Sequence, residues 1–361
     1  MLRKGTFILM KTKIQDMTSG SPGRLIILFA IPLMLGNICQ QLYTMVDTMV
    51  VGQVVGVEAL AALGAVDFLM WVVTGISTGL TQGFSIQLSQ YYGAKDFENL
   101  RKSLAHSYRL TAFIAAGVLI LSQSFASLVL TGLHTPSNII GMSLLYLRII
   151  FCGIPATAAY NMFASALRAM GNSKTPLTAM IIASVLNVSL DILFVAGFGW
   201  GVAGAAIATV IAQSFSAVYC FLILRRIDIV HLTKTDFMPA SGMNARLMKL
   251  GIPVVFQNII IGVGGLVVQY VINGYGFLFV AGFTATNKLY GLLEMAAISY
   301  GYAIVTYVGQ NLGAGKIDRI KKGVRSSMLL SLLTSLIISA AMFLFGKNIL
   351  SLFISGEPQQ T

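Results

Sequence analysis

The chain has 361 residues, 56% hydrophobic and only 10% charged, with a net charge of +12 and a mean hydropathy of +0.82. Soluble domains carry about 25% charged residues, so this balance excludes a soluble globular fold. The positive charge does not indicate nucleic acid, because Lys and Arg sit in short clusters between long apolar runs, as in membrane proteins whose cytoplasmic loops are basic.

Residues 1–24 read as a cytoplasmic tail. Arg3, Lys4, Lys11 and Lys13 flank an apolar stretch too short for a signal peptide, and Met10 and Met17 are alternative starting points. A bilayer-spanning helix needs about 20 predominantly apolar residues. On that measure about nine spans follow, near 25–52, 58–92, 104–131, 139–169, 177–197, 201–224, 251–273, 277–312 and 327–354. Basic residues recur in alternate loops: Lys95, Arg101 and Lys102; Arg168 and Lys174; Arg225 to Lys249; and Lys316 to Arg325. The loops near Gly56, His134, Gly199 and Gly274 hold none, which puts the amino terminus in the cytoplasm.

Polar groups inside these spans are costly and mark function. In the first span Gln40, Tyr43 and Asp47 follow i, i+3, i+7 spacing and share one helix face. Asn187 and Asp191 stack at i, i+4 in the fifth, and Thr209 and Gln213 repeat that spacing in the sixth. Asp47, Asp191 and Thr209 each lie only several residues from an outer turn, at one depth. The alternatives are an idle interfacial Asp47 and helix-gluing amides and hydroxyls. Glu294 and Lys288 in the eighth span read either as a second-lobe site or as a pair, and Asp67 reads as structural. Arg148 is placed to snorkel. His106, His134 and His231 read as loop or interface residues, and Gly93 and Gly313 as helix C-terminal caps.

The chain repeats itself. Ile31, Pro32 and Asn37 recur as Ile252, Pro253 and Asn258, an offset of 221 from Pro32 to Pro253. Gln90, Gly93, Ala94 and Lys102 recur as Gln310, Gly313, Ala314 and Lys322, an offset of 220. Both copies begin on the same side after an even number of spans, the parallel-repeat plan of transporters. The expected division is an amino-terminal six-helix lobe at 25–226, a cytoplasmic linker at 227–250 and a second, incomplete lobe of three helices at 251–361. Unpartnered helix faces are then expected on that second lobe. Cys39, Cys152 and Cys220 are too scattered for a disulfide framework or zinc site. No Gly-rich phosphate loop, HExxH or Asp-rich diphosphate motif suggests an enzyme.

Five segments in order, "IPLMLGNICQQLYTMVDTMVVG", "LTQGFSIQLSQYYGAKD", "ALRAMGNSKTP", "GWGVAGAAIAT" and "VGQNLGAGK", resemble the multidrug and toxic compound extrusion (MATE) family from about Met17 onward. The resemblance implies an all-α integral membrane protein with two parallel six-helix lobes, of which this chain carries about nine spans of twelve. It implies a secondary antiporter of the inner membrane that exchanges H+ or Na+ for organic, often cationic, small molecules, with no cofactor beyond the coupling ion. It further implies that Asp47, Asn187 and Asp191 join Tyr146 and Thr209 in a hydrogen-bonded network where the ion, possible Na+ included, binds. Gln40, Tyr43 and Asn161 would line the amino-terminal cavity. The competing readings are a lipid-linked precursor flippase of the same superfamily, which would favour a cavity rich in Arg and Lys, and an inactive fragment.

Overall fold

The computed structural model describes residues 14–133, 135–273 and 277–350, and among these every regular element is helical. The order is α1 (Pro22–Val54), α2 (Val57–Gly93), α3 (Phe97–Gly132), α4 (Ile140–Cys152), α5 (Ile154–Ala169), α6 (Lys174–Asp191) and α7 (Gly201–Leu224). After two short 3-10 turns come α8 (Met243–Asn273), α9 (Phe277–Gly313) and α10 (Ile317–Leu350). Seven of these are long and apolar enough to cross a bilayer by themselves. The span read at 139–169 is two helices, α4 and α5, bent by 45°. Pro155 is the cause: without an N–H, and with its ring against the preceding turn, it can open a helix but not continue one. His134, Gly274 and Gly276 lie outside the described residues.

The internal repeat appears as reciprocal contacts. A Cβ on Gly93 would sit 1.9 Å from the Gln310 carbonyl oxygen, and one on Gly313 would sit 1.9 Å from that of Gln90. These four residues are the repeat equivalents, so the ends of α2 and α9 cross at a local twofold axis. Gly93 and Gly313 are therefore contact glycines, not the caps expected from sequence; the left-handed residues are Lys95 (φ +57°) and Gly315 (φ +69°) beyond them. The same exchange recurs deeper in the bundle. The Asn37 amide donates to Ser299 Oγ across α1 and α9 (3.2 Å), and the Asn258 amide to the Gly75 carbonyl across α8 and α2 (3.2 Å).

Small residues permit this approach. Gly75, Gly79 and Gly83 recur every fourth position on one face of α2, the spacing that lets membrane helices meet backbone to backbone. A Cβ on Gly83 would lie 2.3 Å from the Gly251 Cα of α8. Around this seam, Leu80, Phe84, Leu104 and Leu167 fill the half nearest the basic loops, while Leu63, Val66, Leu147 and Phe151 fill the opposite half.

The stretch preceding α1 crosses between the two repeats at the basic end. Met17, fully buried, donates its N–H to Gln310 Oε1 (3.0 Å) and accepts from the Asn311 amide (2.9 Å). Lys316 and Arg319 hold the Thr18 and Gly20 carbonyls, both at 2.9 Å, and the Gln15 N–H reaches the Gly171 carbonyl at 3.1 Å. Gly171 has φ +91° and a Cβ there would meet Gln15 O at 2.1 Å, so this turn requires glycine. Asp16 braces the strap. Burial by itself would raise its pKa, but hydrogen bonds from the Thr18 N–H and side chain and from Ser19, with the Lys316 charge, hold it below 3.8.

Candidate functional site

The polar residues of the first, fifth and sixth spans converge inside the first repeat. α1 presents Tyr43 and Asp47, both buried, with Gln40 exposed one turn nearer the basic end. α6 presents Asn187 and Asp191, each wholly buried, and α7 contributes Thr209 and Gln213. α1 packs along α6, and α6 along α7, which is what brings three separate stretches of sequence to one depth. Tyr146, on α4, is buried among Leu63, Val66 and Leu147 and lies in electrostatic range of both carboxylates.

The contacts are sparse and uniform in kind. The Asn187 amide donates to Thr209 Oγ1 at 3.5 Å, and the Gln213 amide donates to the Tyr43 hydroxyl at 3.3 Å, which Gln40 also approaches. Asp47 Oδ1, both carboxylate oxygens of Asp191 and Asn187 Oδ1 have no hydrogen-bond donor. Neither aspartate forms an ion pair among the described residues; the two ion pairs found, Arg101–Asp236 and Lys102–Glu98, lie at the basic end. A buried group of acceptor oxygens without donors or cations has one chemistry open to it, which is to hold a positive charge: a proton, or a hard cation that oxygen ligands suit.

Local structure singles out Asp191 further. It is the last residue of α6, and the backbone continues as a π-helix over Ile192–Gly197, a rare conformation concentrated at functional sites. Phe194, Phe198 and Trp200 stack immediately beyond it, with ring centroids 5.0–6.0 Å apart, and close that end of the lobe with aromatic surface.

Other residues singled out in the sequence stand elsewhere. Asn161 is half-buried on α5 and donates to Thr78 of α2 (3.3 Å), not to the carboxylate cluster. Glu294 is exposed on α9, and the Lys288 side chain lies outside the described residues. His106 differs from expectation. It is buried on α3, with Nδ1 2.7 Å from Asn244 Oδ1 and Nε2 3.1 Å from the Met238 carbonyl, so it pins the segment between the repeats. Two members of the cluster were undervalued. Gln213 bonds the Tyr43 phenol, and Asp67 of α2 lies in electrostatic range of Asp47 and Tyr146. An acid inside a span was the available signal for Asp67.

A family model described as MatE matches residues 32–193 and 253–358. The chain is 31% identical over 346 residues to the probable multidrug resistance protein YpnP of Bacillus subtilis, covering 96% of this chain and 77% of that one. It is 26% identical over 341 residues to the probable multidrug resistance protein NorM of Thermotoga maritima, covering 92% and 72%. Among solved structures, a MOP-superfamily transporter from Pyrococcus furiosus superposes with a TM-score of 0.90 at 23% identity, over 97% of this chain and 78% of that one. An outward-facing multidrug resistance transporter superposes at 0.89 over 95% and 76%, also at 23% identity. These two likenesses carry the fold.

Proposed function

The chain belongs to the MATE family of multidrug efflux transporters, and on that premise we propose that it is a secondary antiporter exporting organic cations in exchange for H+ or Na+. The observation that carries this reading is the pair of buried carboxylates on α1 and α6 whose oxygens lack donors. Two ionised aspartates in an apolar lobe are strongly disfavoured unless a cation compensates them. Asp47 and Asp191 are assigned the coupling charge, with Asn187 Oδ1 and Thr209 Oγ1 as added oxygen ligands for Na+. Tyr43, Gln40, Gln213 and Tyr146 line the approach. Loading the ion neutralises the cluster and weakens its hold on a cationic substrate, and releasing it restores the negative charge. The two carboxylates then exchange the ion as a coupled pair.

We assign residues 25–226 to the ion-coupling lobe and the basic end of the molecule to the cytoplasm of the plasma membrane, on the loop-charge rule. The test is transport of a fluorescent organic cation in proteoliposomes containing this protein, with an imposed H+ or Na+ gradient. The expected result is gradient-driven movement that one of the two ions supports and that Asp191→Asn abolishes while the protein remains folded. Transport that persists in Asp191→Asn, or that neither gradient drives, overturns the assignment.

A further inference from the structure

Away from the carboxylate cluster, a groove of about 360 Å3 runs down the periphery of the first repeat between α3, α5 and α7. Its floor is made of small residues, Ala115, Ala116, Ala158 and Ala159, and its α3 wall runs from Tyr108 to Leu119. Eleven residues of helix span roughly 16 Å, so the mean cross-section is roughly 20 Å2, against about 80 Å2 for even a slender α-helix with its side chains. The groove is thus too narrow for a partner helix and suits a single hydrocarbon chain.

Its two ends differ. The end at Leu119 and Pro155 is apolar. The other end reaches the basic face of the molecule, where Phe221 lines the groove and the Arg225 guanidinium sits 5.9 Å from its ring centroid. Arg109, the residue after Tyr108, spends one of its five donors on the Phe237 carbonyl (2.8 Å). Both arginines are exposed, and neither forms an ion pair among the described residues. Between the arginines and the alanine floor stands Thr111, which lines the groove, is 8% exposed and has a hydroxyl without any hydrogen-bond partner. Threonine on a membrane helix ordinarily returns its hydroxyl to the carbonyl one turn back, as Thr44, Thr48 and Thr178 do here.

We propose that this groove holds one anionic phospholipid of the leaflet at the basic end. Arg225 and Arg109 take the phosphate, the Thr111 hydroxyl takes the ester region, and one acyl chain lies along the alanine floor. Charge complementarity selects the lipid class, because guanidinium forks pair with phosphate oxygens and basic pockets at this membrane depth favour acidic headgroups. Depth is consistent too: Thr111 lies two residues inward of Arg109 on the helix that carries both, where the ester bonds of a lipid follow its phosphate.

The test is native mass spectrometry of the purified protein titrated with phosphatidylglycerol and with phosphatidylcholine. The expected result is one retained phosphatidylglycerol, favoured over phosphatidylcholine by about tenfold, the scale of charge-assisted hydrogen bonds. In the double variant Arg109→Gln, Arg225→Gln that preference falls below about twofold, because neither amide carries charge. Ala112→Phe, at an exposed groove position, removes the retained lipid of either class. Phe113→Ala, on the adjacent, 82% exposed position, leaves it bound and controls for general damage to α3. Equal retention of both lipids, retention of free phosphate in place of lipid, or equal loss in Ala112→Phe and Phe113→Ala overturns the proposal.

Discussion

Replacing Gly93 by alanine tests whether the two repeats meet backbone to backbone at their local twofold axis. The added Cβ would lie 1.9 Å from the Gln310 carbonyl oxygen, and relief to an ordinary C···O contact of about 3.4 Å requires the ends of α2 and α9 to part by roughly 1.5 Å. The obstacle is main chain, so no side-chain rotation relieves it. Gln310 also donates to the Ala169 carbonyl (2.8 Å) and accepts from Met17 N–H (3.0 Å), and a shift of that size breaks both bonds. At about 1 kcal/mol per bond the cost is about 2 kcal/mol, within the roughly 1–3 kcal/mol typical of overpacking. Gly313→Ala meets Gln90 in the mirror arrangement and should cost a similar amount. The double variant should cost clearly less than the sum, since one separation of the helices relieves both clashes. Gly64 and Gly117, where a Cβ meets nothing within 4 Å, supply the counter-case: alanine there should be neutral or stabilising by up to about 1 kcal/mol. Thermal unfolding of the detergent-purified variants, followed by intrinsic fluorescence, measures all five. Unchanged stability in Gly93→Ala, or fully additive losses in the double variant, would refute the reciprocal contact.

Further outcomes are expected. Asp47→Asn and Asp191→Asn should each leave expression and thermal stability near wild type while eliminating gradient-driven cation transport, measured in proteoliposomes at matched protein content. Gly171→Val should weaken the anchor of residues 15–20, since a side chain at φ +91° collides with Gln15, and faster amide exchange in that strap by mass spectrometry would report it. Asp16 adds a pH dependence to the same strap. Its pKa is depressed, so its contribution is present above 3.8 and is lost as pH falls through the lower folded value. Strap protection should therefore be flat from pH 8 to about 5 and decline only below about 4; a decline near neutrality would contradict it. Pro155→Ala should straighten the 45° break between α4 and α5 and raise helical protection at 151–156 in hydrogen exchange.

Composition and periodicity by themselves determined that this is a helical membrane protein, how the helices divide the chain and which end carries the basic loops, because lipid demands long apolar segments and charge asymmetry sets their direction. The offset of Pro32 to Pro253 and Gln90 to Gln310 also announced the repeat, since equivalent contacts retain equivalent residues. Helix spacing put Tyr43 with Asp47 and Asn187 with Asp191 on common faces, which is a local property. Tertiary structure decided what no local rule reaches. Gly93 and Gly313 proved to be crossing points rather than caps, because their role depends on a backbone more than two hundred residues away. The break at Pro155 split an apolar run that hydropathy sees as one, and His106 was buried by a linker that packs onto it from another part of the chain. Which acids gather was settled the same way: α1 lies against α6 and α2 beside them, bringing Asp47, Asp191 and Asp67 into mutual electrostatic range. Asn161, on a helix face turned toward Thr78, was left outside the group.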